Sequence, residues 1–203
     1  MRRRVRSRVR RATRFAGNAV FLVGFMGAGK TSVGRWLGQH LNWAFEDLDD
    51  RIEQRERRTV PEIFRESGET EFRRAEHAAL LGAVEELAGG ALKVVALGGG
   101  AFVQKNNAAL LSASGMPTVF LDAPLEELWQ RCSKQASEAG VQRPLLQSLE
   151  QFSQLYETRR RVYGTASLKV QTSGRSVEEV AAEIAAALGL KKLEVRVEQG
   201  DAE

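Results

Sequence analysis

Two kinds of apolar spacing alternate along this 203-residue chain. Short unbroken runs such as Ala19-Val20-Phe21-Leu22-Val23 have the length and composition of buried strands. The segments between them repeat apolar residues three or four apart, as Val33, Leu37 and Leu41 do, and read as amphipathic helices. From residue 18 the pattern predicts strand 19–23, helix 32–41, strand 43–47, short helices 50–57 and 60–67, and a longer helix 69–87. It continues with strand 92–97, helix 106–112, strand 117–121, a helix from Pro124 to about Ala136 and a loop 137–147. Helix 149–163 and strand 168–171 follow. A last helix opens on a capping box, Ser176 with Glu179, and closes at Gly189. Five strands alternating with helices predict an α/β domain over 18–189, a parallel sheet covered on both faces. Residues 1–17 form a basic arm ahead of it, and 190–203 a tail without an assigned element.

Between the first strand and the first helix stands Gly24-Phe25-Met26-Gly27-Ala28-Gly29-Lys30-Thr31, a complete G-x-x-x-x-G-K-[ST] phosphate-binding loop. Glycines let backbone N–H groups turn inward, and the helix start adds unpaired donors and a positive dipole end. Lys30 can reach the β- and γ-phosphates of a nucleotide, and the Thr31 hydroxyl can hold Mg²⁺.

Charge changes the picture in one place. Lysine and arginine number 30 against 26 acids, but residues 1–14 hold eight arginines and no acid. The rest of the chain therefore carries 22 basic residues against 26 acids and is mildly acidic. The arm reads as a disordered tail or an early translation start; a nucleic-acid contact or an organelle-targeting segment is the sharper alternative. No apolar run approaches the roughly 20 residues that span a bilayer. The single cysteine, Cys132, can form no internal disulfide and fits a reducing compartment. We expect a cytoplasmic monomer without a membrane partner.

Further candidates follow the strands. Asp47 and Asp49 end the second strand at spacing i, i+2, which in extended chain puts both carboxylates on one side. They could steady a metal and a substrate hydroxyl, or Asp50 or Asp49 could simply cap the next helix. Gly98-Gly99-Gly100 follows the third strand; it allows a close backbone approach or a flexible connection. Arg73 and Arg74 lie on one helix and Arg159 to Arg161 on another, suited to gripping a carboxylate or phosphate, or forming a solvated face. Arg143, in Arg143-Pro144-Leu145-Leu146, could fold over a transferring phosphate. His40 and His77 have no ligand spacing and read as ordinary helix residues, and Trp36, Trp43 and Trp129 form no stacking platform.

In order, GFMGAGKTSVGRWLG, DLD at 47–49, EIFRESGETEFRRAE at 62–76, ALGGGA at 96–101, RPLL at 143–146 and an Arg-x-x-x-Tyr ending at Tyr163 resemble the shikimate kinases over about 18–188. The resemblance implies a three-layer fold like the nucleoside monophosphate kinases, with a five-stranded parallel sheet and a lid. It implies ATP-dependent, Mg²⁺-dependent phosphorylation of the shikimate 3-hydroxyl, a step toward chorismate and the aromatic amino acids. Gly27, Ala28, Gly29, Lys30, Thr31 and Ser32 would bind ATP, with Arg143 as the lid arginine and Arg175 on the adenine side. Thr31 would bind Mg²⁺, and Asp47 would support it through water. Asp49 would take the shikimate hydroxyls and assist deprotonation, Arg73 and Arg159 would grip the carboxylate, and Gly98, Gly99 and Gly100 would line that pocket. Family members usually carry Pro-Leu before the tyrosine; here the segment is Arg159-Arg160-Arg161-Val162-Tyr163, and counting back four selects Arg159. Gluconate kinase is the alternative within the same class. A nucleic-acid-associated ATPase would need basic character beyond the arm, and a dead homologue would lack groups that are here.

Overall fold

The structure, a computed structural model, describes residues 17–139 and 148–193. Arg143 with its Pro-Leu-Leu, the arginines of 1–14 and the tail from 194 lie outside the described residues. Five strands, β1 (Ala19–Val23), β2 (Ala44–Asp47), β3 (Lys93–Ala96), β4 (Thr118–Asp122) and β5 (Leu168–Gln171), form one parallel sheet in the order β2-β3-β1-β4-β5. The expected α/β fold is therefore the observed one. β1 and β4 are buried at every residue, which is why they read as unbroken apolar runs. The outer strands β2 and β5 carry the polar sequences AFED and LKVQ and stay partly open.

The helices are α1 (Lys30–Leu41), α2 (Leu48–Glu56), α3 (Val60–Ala88), α4 (Lys105–Ser114), α5 (Leu125–Ala139), α6 (Leu149–Tyr163) and α7 (Val177–Leu188). Their ends follow from capping chemistry. Thr59 and Glu62 close a capping box at the start of α3, and Ser176 and Glu179 do so for α7. Gly68, at φ 78° and ψ 176°, breaks α3 where two helices were expected. α2 starts two residues earlier than expected because Asp47 is its cap, its side chain accepting from Asp49 N–H. α5 runs to Ala139, so the expected loop begins three residues too early. Ala101–Val103 adds a 3-10 turn that the apolar pattern does not signal. The first tail residues also have a place: Leu193 N–H donates to the Leu41 carbonyl at 2.8 Å.

α1 lies against α7 and over β2 and β3, while α3, α4 and α6 meet around the 3-10 turn. Close seating of α1 depends on the absence of a side chain at Gly34. A Cβ there would meet Phe45 Cδ2 at 2.8 Å and Leu22 Cδ1 at 3.2 Å. Both neighbours sit in the sheet beneath, so neither can swing into solvent. No helix among the described residues is long and apolar enough to cross a membrane.

Gly34→Val should therefore be overpacked and lose about 1–3 kcal/mol of stability, since valine's small gain in helix propensity does not offset the clash. Urea unfolding with an unchanged m-value and a lower midpoint is the expected result. A midpoint at or above that of the parent protein would show that α1 seats without this close contact.

Candidate active site

Three functional segments leave the same end of the sheet. Leu22 on β1 pairs with Ala96 on β3, and Ala96 pairs with Asp47 on β2. The phosphate loop, the glycine triplet and the two aspartates thus emerge at one level, in the crevice where open α/β sheets place ligands.

The phosphate loop is held from below and from the side. Gly24 approaches β4 so closely that a Cβ would meet the Leu121 carbonyl at 2.7 Å. Gly29 caps α1 at φ 89°, a left-handed conformation that suits glycine. Phe25 packs edge-on against Phe152 and Tyr156 at centroid distances of 5.0 and 5.5 Å, docking α6 onto the loop. Inside the loop the Lys30 ammonium donates to the Gly24 and Phe25 carbonyls, each at 3.0 Å. Burial lowers its pKa, with the Asp49 and Asp47 carboxylates opposing.

Asp47 and Asp49 do meet at the cleft, but not as neighbours on one side of a strand. Asp47 ends β2, whereas Asp49 sits in the first turn of α2. One Asp47 oxygen accepts from Asp49 N–H at 3.2 Å, and the other accepts from the Thr31 hydroxyl at 3.0 Å. Asp47 is thus both neighbour of the phosphate loop and helix cap, a role the sequence suggested for Asp49 or Asp50; as the last strand residue, it is the one whose carboxylate reaches a free N–H in the first turn of α2. Burial first, and then the Asp47 charge, push the Asp49 carboxyl up to about 6. A cleft of about 310 Å³ is lined by Gly27, Gly29, Lys30, Thr31, Ser32, Asp47, Asp49, Gly98 and Gly99, with Met26, Leu97 and Gln135 completing it.

Gly98, Gly99 and Gly100 each face one charged side chain. A Cβ on Gly98 would meet Asp49 Oδ1 at 2.6 Å, and one on Gly100 would meet Arg73 Nη1 at 2.7 Å. The Cβ position of Gly99 lies 3.4 Å from Arg159 Nη1. None of the three has a positive φ, so close approach rather than backbone freedom calls for glycine here. The Tyr163 hydroxyl donates to the Gly99 carbonyl, and burial pushes its pKa up to about 12. The Arg159 guanidinium lies 5.9 Å from the Phe25 ring, beside the phosphate loop.

The neighbouring arginines separate cleanly. Arg160 bonds the buried Asp122 at 3.1 Å, and Arg74 pairs with Glu71 at the surface. Counting back four from Tyr163 therefore selects the arginine that faces the triplet. Arg175 stands apart from the cleft, its guanidinium bonded to Glu183 at 2.5 Å and to the Gln171 and Glu179 carbonyls. Two residues escaped the sequence reading. Glu76, 1% exposed, takes two bonds from Arg73 Nη1 at 3.1 and 3.0 Å, and burial raises its pKa against the pull of Arg73. Its spacing of three from Arg73 on a helix was the available signal. Arg131 on α5 reaches the Gly27 carbonyl at 3.4 Å while paired with Glu127, and no motif marked it.

A parallel sheet with a phosphate loop after β1, beside a glycine triplet that meets one carboxylate and two arginines, defines a P-loop kinase of small molecules. The shikimate kinase family model matches residues 26–189, and the chain belongs to that family of ATP-using kinases. The chain is 43% identical over 168 residues to a shikimate kinase of Thermus thermophilus, covering 81% of this chain and 86% of that protein. The solved shikimate kinase from Acinetobacter baumannii in complex with shikimate is similar at TM-score 0.73 and 33% identity, covering 86% of this chain and 94% of that one. A gluconokinase from Sinorhizobium meliloti, at TM-score 0.52, 19% identity and coverage of 87% and 94%, shares the fold alone.

Gly98→Ala leaves the backbone unstrained but drives a methyl into Asp49. We expect turnover to fall by about tenfold or more, since small misplacements of reacting groups are costly, while the thermal midpoint stays within a few degrees of the parent. Parent-like kinetics in this variant would mean that the approach of Asp49 to the triplet is not needed for the reaction.

Proposed function

We propose that the chain transfers the γ-phosphoryl group of ATP to the 3-hydroxyl of shikimate, giving ADP and shikimate 3-phosphate on the route to chorismate and the aromatic amino acids. The observation that carries this reading is the glycine triplet with its three charged neighbours. It sets a carboxylate and two guanidinium groups against three successive residues, beside the phosphate loop. A polyhydroxylated ring acid needs that set: a carboxylate to accept from hydroxyls, and arginines to hold an acid in two-point geometry.

In this reading Gly27, Ala28, Gly29, Thr31 and Ser32 cradle the phosphates, with Lys30 on the transferring group. Phosphoryl transfer needs positioning and charge neutralisation more than covalent help. Arg73 and Arg159 hold the substrate carboxylate and so fix which hydroxyl points at the phosphate loop. Asp49 accepts a hydrogen bond from that hydroxyl and takes its proton as the new P–O bond forms. A carboxyl at about 6 is a stronger base than an ordinary aspartate yet still largely ionised at neutral pH. The Thr31 hydroxyl and Asp47 carboxylate, 3.0 Å apart, are hard oxygen donors that suit Mg²⁺; Thr31 would bind it and Asp47 would support it through water. Mg²⁺ bound there would neutralise charge on the β- and γ-phosphates. Arg143 is assigned the lid role and Arg175 the adenine side on the family motifs; Arg175 would first have to leave Glu183. We keep the expectation of a cytoplasmic monomer.

Coupled ADP release with shikimate, gluconate and nucleoside monophosphates tests the substrate. Shikimate should be the efficient acceptor; efficient turnover of gluconate without shikimate would overturn the assignment. Asp49→Asn keeps the shape of the side chain and removes its basicity. We expect nucleotide binding to persist and kcat to fall by roughly 10²–10⁴-fold, the range of general acid–base catalysis. Near-normal kcat in the purified variant would remove Asp49 from the reaction.

A further inference from the structure

His77 and Asn107 read from sequence as an ordinary helix histidine and an unremarked asparagine. The structure joins them. His77 Nδ1 lies 2.7 Å from Asn107 Oδ1, and Asn107 Nδ2 donates to the Ala101 carbonyl at 3.0 Å. Asn107 is 1% exposed, so both ends of its amide must find partners inside the protein. Because its NH₂ is committed to Ala101, its oxygen faces His77, and the histidine must carry its proton on Nδ1.

These bonds close a ring of contacts beside the glycine triplet. Ala101 follows Gly100, against which Arg73 packs. Arg73 and His77 are one helical turn apart on α3. The path therefore runs from Arg73 along α3 to His77, through Asn107 to Ala101, and back through Gly100 to Arg73. Arg73, His77, Gln104 and Asn107 border a hollow of about 430 Å³ between α3 and the start of α4. The His77–Asn107 bond spans the two elements beside it.

We propose that His77 and Asn107 are positioning residues that set the gap between Arg73 and the glycine triplet, and so the affinity for the substrate carboxylate. The inference rests on Arg73 being a carboxylate ligand. Neither residue touches the reacting atoms, so binding of the acid should change and the chemical step should not.

The test is steady-state kinetics of the full chain and its variants, with thermal midpoints measured alongside. His77→Ala should raise KM for shikimate about 3–10-fold, the worth of a hydrogen bond of roughly 1 kcal/mol, with KM for ATP and kcat within twofold of the parent. Asn107→Asp, which still accepts from His77 but loses the donor to Ala101, should shift KM the same way. His77→Asn, which can present an amide N–H near the place of Nδ1, should recover most of the loss. A lowered midpoint with unchanged KM for shikimate would overturn the proposal, as would equal rises in both KM values or no recovery in His77→Asn. Arg73→Gln separates the two levels. If it leaves KM for shikimate unchanged while the parent turns shikimate over, the carboxylate role of Arg73 fails and the positioning role falls with it.

Discussion

The parallel pairing of β3 between β1 and β2 is the constraint on which the site depends. It puts Leu22, Ala96 and Asp47 in one row. Each strand then releases its own chemistry at that level: the phosphate loop, the glycine triplet and the aspartate pair. A parallel register slipped by two residues would keep every side chain on its proper face and still move one loop by roughly 6 Å or more along its strand. That is far more than phosphoryl transfer tolerates. Burial of β1 on both faces, and the tight seating of α1 over Phe45, are what resist such a slip.

Charge in the cleft is arranged as opposed pairs rather than as a field of one sign. Lys30 lies near Asp49 and Asp47, and each side's burial is partly offset by the other's charge. Arg73 is held by buried Glu76, while Arg159 packs over Phe25 and beside Gly99. Holding Arg73 by a carboxylate on its own helix orients the guanidinium before any ligand arrives. Preorganisation of this kind reduces the cost of binding. The glycine triplet makes it possible, because any side chain there would occupy the space the charged groups need.

Much of this was legible before the fold was known. The phosphate loop is a local device whose glycines, lysine and threonine act within one strand–turn–helix unit, so a contiguous motif carries it. Strand and helix positions were readable because α/β sheets bury their central strands on both faces. The capping boxes at Thr59 and Ser176 are local in the same sense, although only the second was singled out. Misplaced ends had local causes too: Asp47 caps α2 earlier than periodicity suggests, and α5 persists past Ala136 through residues whose polarity resembles a loop. The 3-10 turn 101–103 is too short to show any period.

What sequence by itself determined, then, is the inventory and order of the elements and the identity of the nucleotide loop, because both rest on interactions within a few residues. Tertiary structure alone supplied the reason that Arg159 rather than its neighbour faces the triplet, since Arg160 is drawn away by an aspartate 38 positions distant. It also decided that Gly98 and Gly100 meet Asp49 and Arg73, and that His77 reaches Asn107 across 30 positions. Those outcomes depend on distances between elements, which sheet register and helix seating set and which no local spacing encodes.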